Sequence, residues 1–270
     1  MGRGAGDRRR FPLRVVTHTI ALAAAVAIVC AAASASPAPM PRPPVAARPA
    51  TGRIEGTVEI STVLATRRPQ FRIYAEPGTG ATPPPPPKDP LAAELKNVVV
   101  YLEGDSTRLP APPGAAALHR HGSISQRDQR FTPHVLPIMQ GGTVDFPNDD
   151  NVYHNVFSLS SAAAPGGRGF DLGRYPNGAS KSWTFEKLGT VQVFCHIHSD
   201  MSAIVLVLAN PFFASPDDTH RFSIDDVPEG DYTIVGWHER IKPITRRVHV
   251  SAGQTTSVDF NIPLPQGGAP

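Results

Sequence analysis

Apolar and polar residues alternate in short runs along most of this chain. Residues 53–63 (RIEGTVEISTV) change character at nearly every step, the two-residue period of a half-buried strand. Compact apolar runs follow at 98–102, 135–140, 143–146, 152–159, 182–185, 191–194 and 203–208. A further series covers 221–224, 232–237, 244–250 and 256–262. Turn residues separate them, at Gly141-Gly142, Leu188-Gly189, Pro228-Glu229-Gly230 and Ala252-Gly253. No window sustains a helical period. The pattern predicts an all-β chain of short strands, built as a sandwich or a barrel.

Composition adds two things. Proline stands at 30 of 270 positions, about twice the usual share, which disfavours long helices and fits turns and spacers. It is dense in 36–52 (SPAPMPRPPVAARPATG), an expected extended linker, and in the run Pro83 to Pro87, an expected surface loop. The N-terminus is different again. Arginines at 3, 8, 9, 10 and 14 precede an apolar stretch at 19–33, and Ala33-Ser34-Ala35 offers a small-x-small cleavage pattern. Residues 1–35 therefore read as a signal peptide, with an uncleaved membrane anchor as the alternative. Arg8-Arg9-Arg10-Phe11 suits twin-arginine export, and an ordinary secretory n-region fits equally well. Export places the protein in the periplasm, or outside the cell or on its envelope.

Removing that segment changes the charge and the cysteine count. The full chain carries +3, but the segment holds five arginines and one acid, so the remainder has 21 basic and 22 acidic residues. A near-neutral chain gives no electrostatic case for nucleic acid. Cys30 leaves with the segment, and Cys195 is then the sole thiol, unable to form an internal disulfide. An intermolecular bridge, a buried bystander, a nucleophile or a metal ligand remain open for it.

Its neighbours favour the last. Residues 194–201 read FCHIHSDM, placing Cys195, His198 and Met201 in a C-x2-H-x2-M spacing, with His154 upstream in Tyr153-His154-Asn155-Val156. Taken singly, each has a structural explanation: a satisfied strand histidine, a small buried hydrophobe, a core methionine. Taken together they are the soft and borderline ligands that suit copper in both oxidation states. A His2Cys set with a weak axial Met is the blue-copper arrangement of electron-transfer sites. Cys195 would end a strand, with His198 and Met201 on the tight loop before the next one. His154 would come from a different strand and clamp that loop to the body of the fold.

On these residues, and on Phe131-Thr132-Pro133 and the stretch Gly141 to Asn148 (GGTVDFPN), the segment 97–209 resembles the cupredoxins, the plastocyanin–amicyanin group of small blue copper proteins. The short ligand loop is most similar to that of amicyanin. The resemblance implies a Greek-key β-sandwich and one type 1 copper. It makes His154 and His198 imidazole ligands, Cys195 the thiolate and Met201 the axial thioether. It gives Asn155 a hydrogen bond toward the loop after the cysteine. The family usually has Ser or Thr after the cysteine, whereas this chain has His196, which leaves the partner of Asn155 open. Strand alternation points His196 away from Cys195, toward the surface.

Other chemistry is thin. His119-Arg120-His121 lies in a loop, and His134, His220, His238 and His249 read as structural or solvent-exposed. Met139 reads as core. Asp149-Asp150 and Asp225-Asp226 read as turn residues, and Gly166-Gly167-Arg168-Gly169 lacks the strand and helix that a phosphate loop needs. Residues 219–262 resemble the carboxypeptidase regulatory-like β-sandwich, a non-catalytic module, and Gly52 to Val58 (GRIEGTV) resembles that module's first strand. Residues 53–96 either complete the 210–264 module, with the copper segment inserted between, or precede it as separate strands. The expected function is an exported, non-enzymatic carrier of single electrons between redox partner proteins, with no small-molecule substrate. A copper carrier or sensor, or an envelope interaction module with structural copper, is the alternative.

Overall fold

The computed structural model describes residues 50–62, 64, 89–105, 109, 114–160, 162–163, 167, 169–198 and 200–263. The signal segment, most of the 36–52 linker and the run Pro83 to Pro87 lie outside them. The described elements are β1 (Thr51–Ile60), α1 (Pro90–Leu95), β2 (Val99–Leu102), α2 (Ala115–Leu118), β3 (His121–Ser123), β4 (Ser125–Arg127), β5 (Arg130–Thr132), β6 (Val135–Met139), β7 (Gly142–Pro147), β8 (His154–Ser158), β9 (Phe170–Tyr175), β10 (Ser180–Phe185), β11 (Gly189–Phe194), β12 (Ser202–Leu208), β13 (Phe213–Ala214), β14 (Arg221–Pro228), β15 (Gly230–Trp237), β16 (Ile244–Val250), β17 (Thr255–Ser257) and β18 (Phe260–Ile262). The chain is all-β, as its alternation predicts.

The strands form two sandwiches. In the first, β1 lies between β14 and β17 and also pairs with β18, facing a sheet of order β13-β2-β15-β16. Every even-numbered residue of β1 is buried, and Ile54, Val58 and Ile60 enter a core with Val100, Leu102, Phe222, Ile234 and Phe260. Gly56 falls on this inward phase because nothing larger fits: a Cβ there would stand 1.8 Å from the Val258 carbonyl oxygen. Helix α1 closes one end. Asp89 caps it by accepting from the amides of Leu91 and Ala92 at 2.9 and 3.0 Å, and Pro90 supplies its first residue.

The second sandwich comprises β3 to β12, in sheets of order β10-β7-β3 and β6-β12-β11-β8-β9, with β4 and β5 as a separate hairpin. Its core gathers Phe146, Val156, Phe185, Val191, Val193, Val205 and Val207, together with Cys195 and Met201. Met139 is buried, as expected. Gly141 turns β6 into β7 at φ +75°, where a side chain would be strained.

The ladder shows that residues 97–209 are not one unit. β2, at the start of that range, pairs with β13 and β15 in the first sandwich. The first sandwich is thus assembled from chain on both sides of β3–β12. The two sandwiches meet through a third apolar cluster, in which Ile204, Leu206 and Leu208 of β12 pack with Val99, Phe213 and Trp237. That contact explains why β12 is apolar on both faces, whereas strands such as β1 and β7 alternate. Strands β3, β4 and β9 fall in stretches where alternation is too short, or too rich in polar and small residues, to be read.

Candidate metal centre

The site is built on a β-hairpin loop and one neighbouring strand. Phe194 at the end of β11 pairs with Ser202 at the start of β12, which closes residues 195–201 into a loop. The amide of Cys195 donates to the Met201 carbonyl at 3.2 Å, and that of Met201 to the His198 carbonyl at 3.1 Å, so the backbone fixes the loop before any ligand binds. β8 lies beside β11, with Phe157 opposite Phe194, and opens at His154. A register shift between Asn155 and Phe157 interrupts the alternation of β8. His154, Asn155 and Val156 are consequently all buried, and two successive side chains face the loop.

Three ligand-type atoms converge. Cys195 Sγ lies 3.8 Å from His154 Nδ1 and 3.9 Å from His198 Nδ1, and the two nitrogens are 3.1 Å apart. A point equidistant from the three lies about 2.1 Å from each, between the lengths of ordinary metal–imidazole and metal–thiolate bonds. The chemistry of the donor set and the size of this triangle fit a transition-metal ion. Met201 is buried in the same cluster, and its backbone is tied to Cys195.

The electrostatics favour the ligating form of the cysteine. Burial pushes the Cys195 thiol up, but hydrogen bonds from His154 and His198, then from the backbone at Asn155 and Ile197, outweigh it and bring the thiol down to about 5. Burial likewise lowers His154, yet its bonds to Cys195 and Asp150 leave it raised. A thiolate is the form that binds metal.

Asp150 does more than make the turn expected of it. Its Oδ2 lies 2.7 Å from His154 Nε2. That contact turns Nδ1 toward Cys195 and His198, and would keep the ring proton on Nε2 when Nδ1 serves as a ligand. The carboxylate is itself held by the amides of Asp128 and Gln129, at 2.6 and 2.8 Å. Both residues have positive φ, 53° and 54°, in the two-residue turn that joins β4 to β5. Each left-handed residue costs about 1–2 kcal/mol. A hydrogen bond to a charged group returns about 1.5–3 kcal/mol, so the strained turn is held by the anion it cradles. Burial pushes the Asp150 carboxyl up, and the Gln129 amide, His154 and the Asp128 amide together bring it below its ordinary value. The signal in the sequence is a carboxylate four residues before His154.

The surroundings of Asn155 answer the question of its partner. Its Oδ1 accepts from the His196 amide at 2.8 Å and from Cys195 Sγ at 3.5 Å. A backbone N–H serves here, so a hydroxyl after the cysteine is not required. The His196 ring points outward, as alternation predicts. It stacks on Phe157 with centroids 3.6 Å apart and a 4° interplanar angle, and its Nε2 lies 3.7 Å from Asp171. Among the described residues, the one cluster of three or more histidine, cysteine or acidic side chains placed to share an ion is His154, Cys195 and His198. His198 opens onto a shallow depression of about 570 Å³, lined also by Val152, Tyr153, Arg174 and Ile197. The apolar members are unusually exposed, Tyr153 at 58%, Val152 at 43% and Ile197 at 37%.

No family model matches this chain, and no curated protein does. Among solved structures, it is similar over 37% of its length to the reduced Cu(I) form of a P52G mutant of amicyanin, with 23% identity, 96% of that chain covered and a TM-score of 0.31. A purple cupredoxin from Nitrosopumilus maritimus is matched over 32% of this chain and 99% of its own, at 24% identity and a TM-score of 0.28. A copper-containing nitrite reductase from Thermus scotoductus SA-01 is matched over 33% of this chain, at 26% identity and a TM-score of 0.29. This chain spans only 22% of that reductase. These likenesses are partial and low in TM-score, and the site stands on its own geometry.

Proposed function

We propose that this protein is an exported type 1 copper protein that carries single electrons between redox partner proteins. The observation that carries the reading is the triangle of His154 Nδ1, Cys195 Sγ and His198 Nδ1, closed around a low-pKa thiol. His154, Cys195 and His198 would hold the ion, with Met201 as the axial ligand that the cupredoxin resemblance implies. Bound copper would supply a Cu(II)/Cu(I) couple. The chain's own residues do the rest. Asp150 and Asn155 fix the ring of His154 and the start of the ligand loop, and a fixed loop changes shape little between two charge states. Buried Val156, Met201 and Ala203 keep water from the thiolate side. His198 reaches the surface among Val152, Tyr153, Ile197 and Arg174, a largely apolar rim against which a partner can dock. The arginine-rich N-terminus and the apolar stretch after it support export to the periplasm or cell envelope.

The reading has no place for catalysis. His196 stacks on Phe157 beside Asp171 instead of joining a second ligand cluster among the described residues. The test is optical. Metal-stripped protein takes one equivalent of Cu(II) and develops an intense thiolate-to-copper band, bleached by ascorbate and restored by reoxidation. A pale complex would mean that Cys195 is not a short equatorial ligand, and the carrier or structural-copper reading would replace this one.

A further inference from the structure

A polar relay links the first sandwich to Ser202, at the exit of the ligand loop. Glu239 follows β15, in the first sandwich. Its two carboxylate oxygens lie 3.0 and 3.1 Å from His134 Nε2. The other nitrogen of that ring, Nδ1, lies 3.0 Å from the Ser202 carbonyl oxygen. Ser202 is the residue after Met201. The His134 carbonyl accepts from the Ile204 amide at 2.7 Å, so one residue grips both ends of the 202–204 segment where β12 begins. Both side chains are 19% exposed, enough burial for the contact to be little screened.

The apolar contact acts on the same strand. Ile204, Leu206 and Leu208 project from β12 onto the first sandwich, while Ala203, Val205 and Val207 project into the core that holds Cys195 and Met201. β12 therefore cannot slide or tilt without disturbing both sandwiches. Met201 stands immediately before it, and the Met201 carbonyl is bonded to the Cys195 amide. A thioether is the weakest of the four donors, so the protein, more than the metal, sets where it lies, and axial placement tunes potential.

We infer that the first sandwich is a positioning module for the metal loop, and that Glu239, acting through His134 on Ser202, holds Met201 in place. The geometry is independent of the bound ion, and only the functional meaning rests on the copper reading. Glu239 and His134 are positioning residues and touch no ligand side chain in this relay.

The experiment uses the full protein with Glu239→Gln, Glu239→Ala and His134→Phe, the last keeping ring volume while losing both bonds. Asp231→Asn is the control. It removes the carboxylate from another His–acid pair of the first sandwich, His249 to Asp231 at 2.9 Å, which is exposed and remote from β12. Two quantities are read: the Met201 methyl resonance of the metal-free protein, and the rate of Cu(I) release to a chelator. Glu239→Ala and His134→Phe are expected to shift or broaden the methyl resonance and to accelerate release about tenfold, within the range seen when an outer partner of a metal site is lost. Glu239→Gln, which keeps one weaker bond, is expected to fall between these variants and wild type, and Asp231→Asn to match wild type. If the folded relay variants keep the wild-type resonance and release copper within twofold of the wild-type rate, the inference is overturned. A lower melting temperature alone would then make Glu239 a staple between the sandwiches and nothing more. If wild type shows no thiolate-to-copper band, the proposed function fails while the metal-free resonance still tests the relay.

Discussion

Each sandwich buries one histidine against a carboxylate. In the first, His238 Nε2 lies 3.1 Å from Glu94, and its Nδ1 accepts from the Arg240 amide at 3.3 Å. In the second, His154 Nε2 lies 2.7 Å from Asp150, and its Nδ1 faces Cys195 and His198. Both rings are fully buried. The difference lies wholly in the second nitrogen. The protein backbone consumes it in His238, and the ring becomes a brace between α1 and the end of β15. In His154 the nitrogen is kept facing other donors of the same kind, an arrangement that makes chemical sense only with a shared proton or an ion at the centre. A buried His–carboxylate pair is thus not a site in itself; the site is defined by what the remaining lone pair faces.

This contrast can be broken by exchange of roles. The largest effect is expected from Cys195→Ser, which should abolish the thiolate-to-copper colour entirely while circular dichroism stays β-rich. Next, Asp150→Asn should lower copper affinity about 10- to 100-fold, measured by chelator competition, because the ring of His154 loses its fixed tautomer. His238→Ala should do the reverse. It should cost about 1–3 kcal/mol in urea unfolding, since buried Glu94 loses one partner while keeping the Arg240 guanidinium, and leave copper affinity within twofold. If His238→Ala weakened copper binding as Asp150→Asn does, the two pairs would not be separate.

The smallest effect is in pH. The folded-state pKa of Cys195 is depressed from 9.0 to about 5, so its thiolate contributes stability that grows as pH rises from 5 toward 9 and is lost as pH falls through 5. His154 is raised above 6.5, and its contribution is full below that value and fades as pH rises further. Metal-free protein titrated with urea should therefore gain stability from about pH 5 to 6.5, with the gain flattening above 6.5, where the loss at His154 opposes it. Cys195→Ser should remove the acid limb and sharpen the contrast with His238, whose partners lie elsewhere.

The ligand-type residues were legible because their chemistry is concentrated in one short stretch, FCHIHSDM, and one strand start. His196 could be assigned outward from strand period alone. Asp150 was not legible as a partner of His154, because two adjacent aspartates after Pro147-Asn148 read as any polar turn. Its role depends on a hairpin from residues 125–132 reaching across to it. The place of β2 was hidden for a similar reason. An apolar run such as VVVYL states that it is buried but not against what, and its neighbours in sequence belong to the other sandwich. His238 was read as structural or exposed, and the structure selects the first: its acid partner lies in α1, far away in sequence and in a helix too short to give a period.

The pairing of β1 with β17 and β18 sets an order of events during synthesis. Thr57 and Val58 must wait for residues around 220 and 260 before their ladder can close. The strand that carries His154 and the two that flank the loop of Cys195 and His198 are complete by residue 208. On the emerging chain the inner sandwich has all its partners while the outer one still has an open seam. Closing that seam brings together segments about two hundred residues apart, the slow, entropy-limited kind of contact. The metal loop can thus be shaped first and then locked from outside by the last strands to arrive.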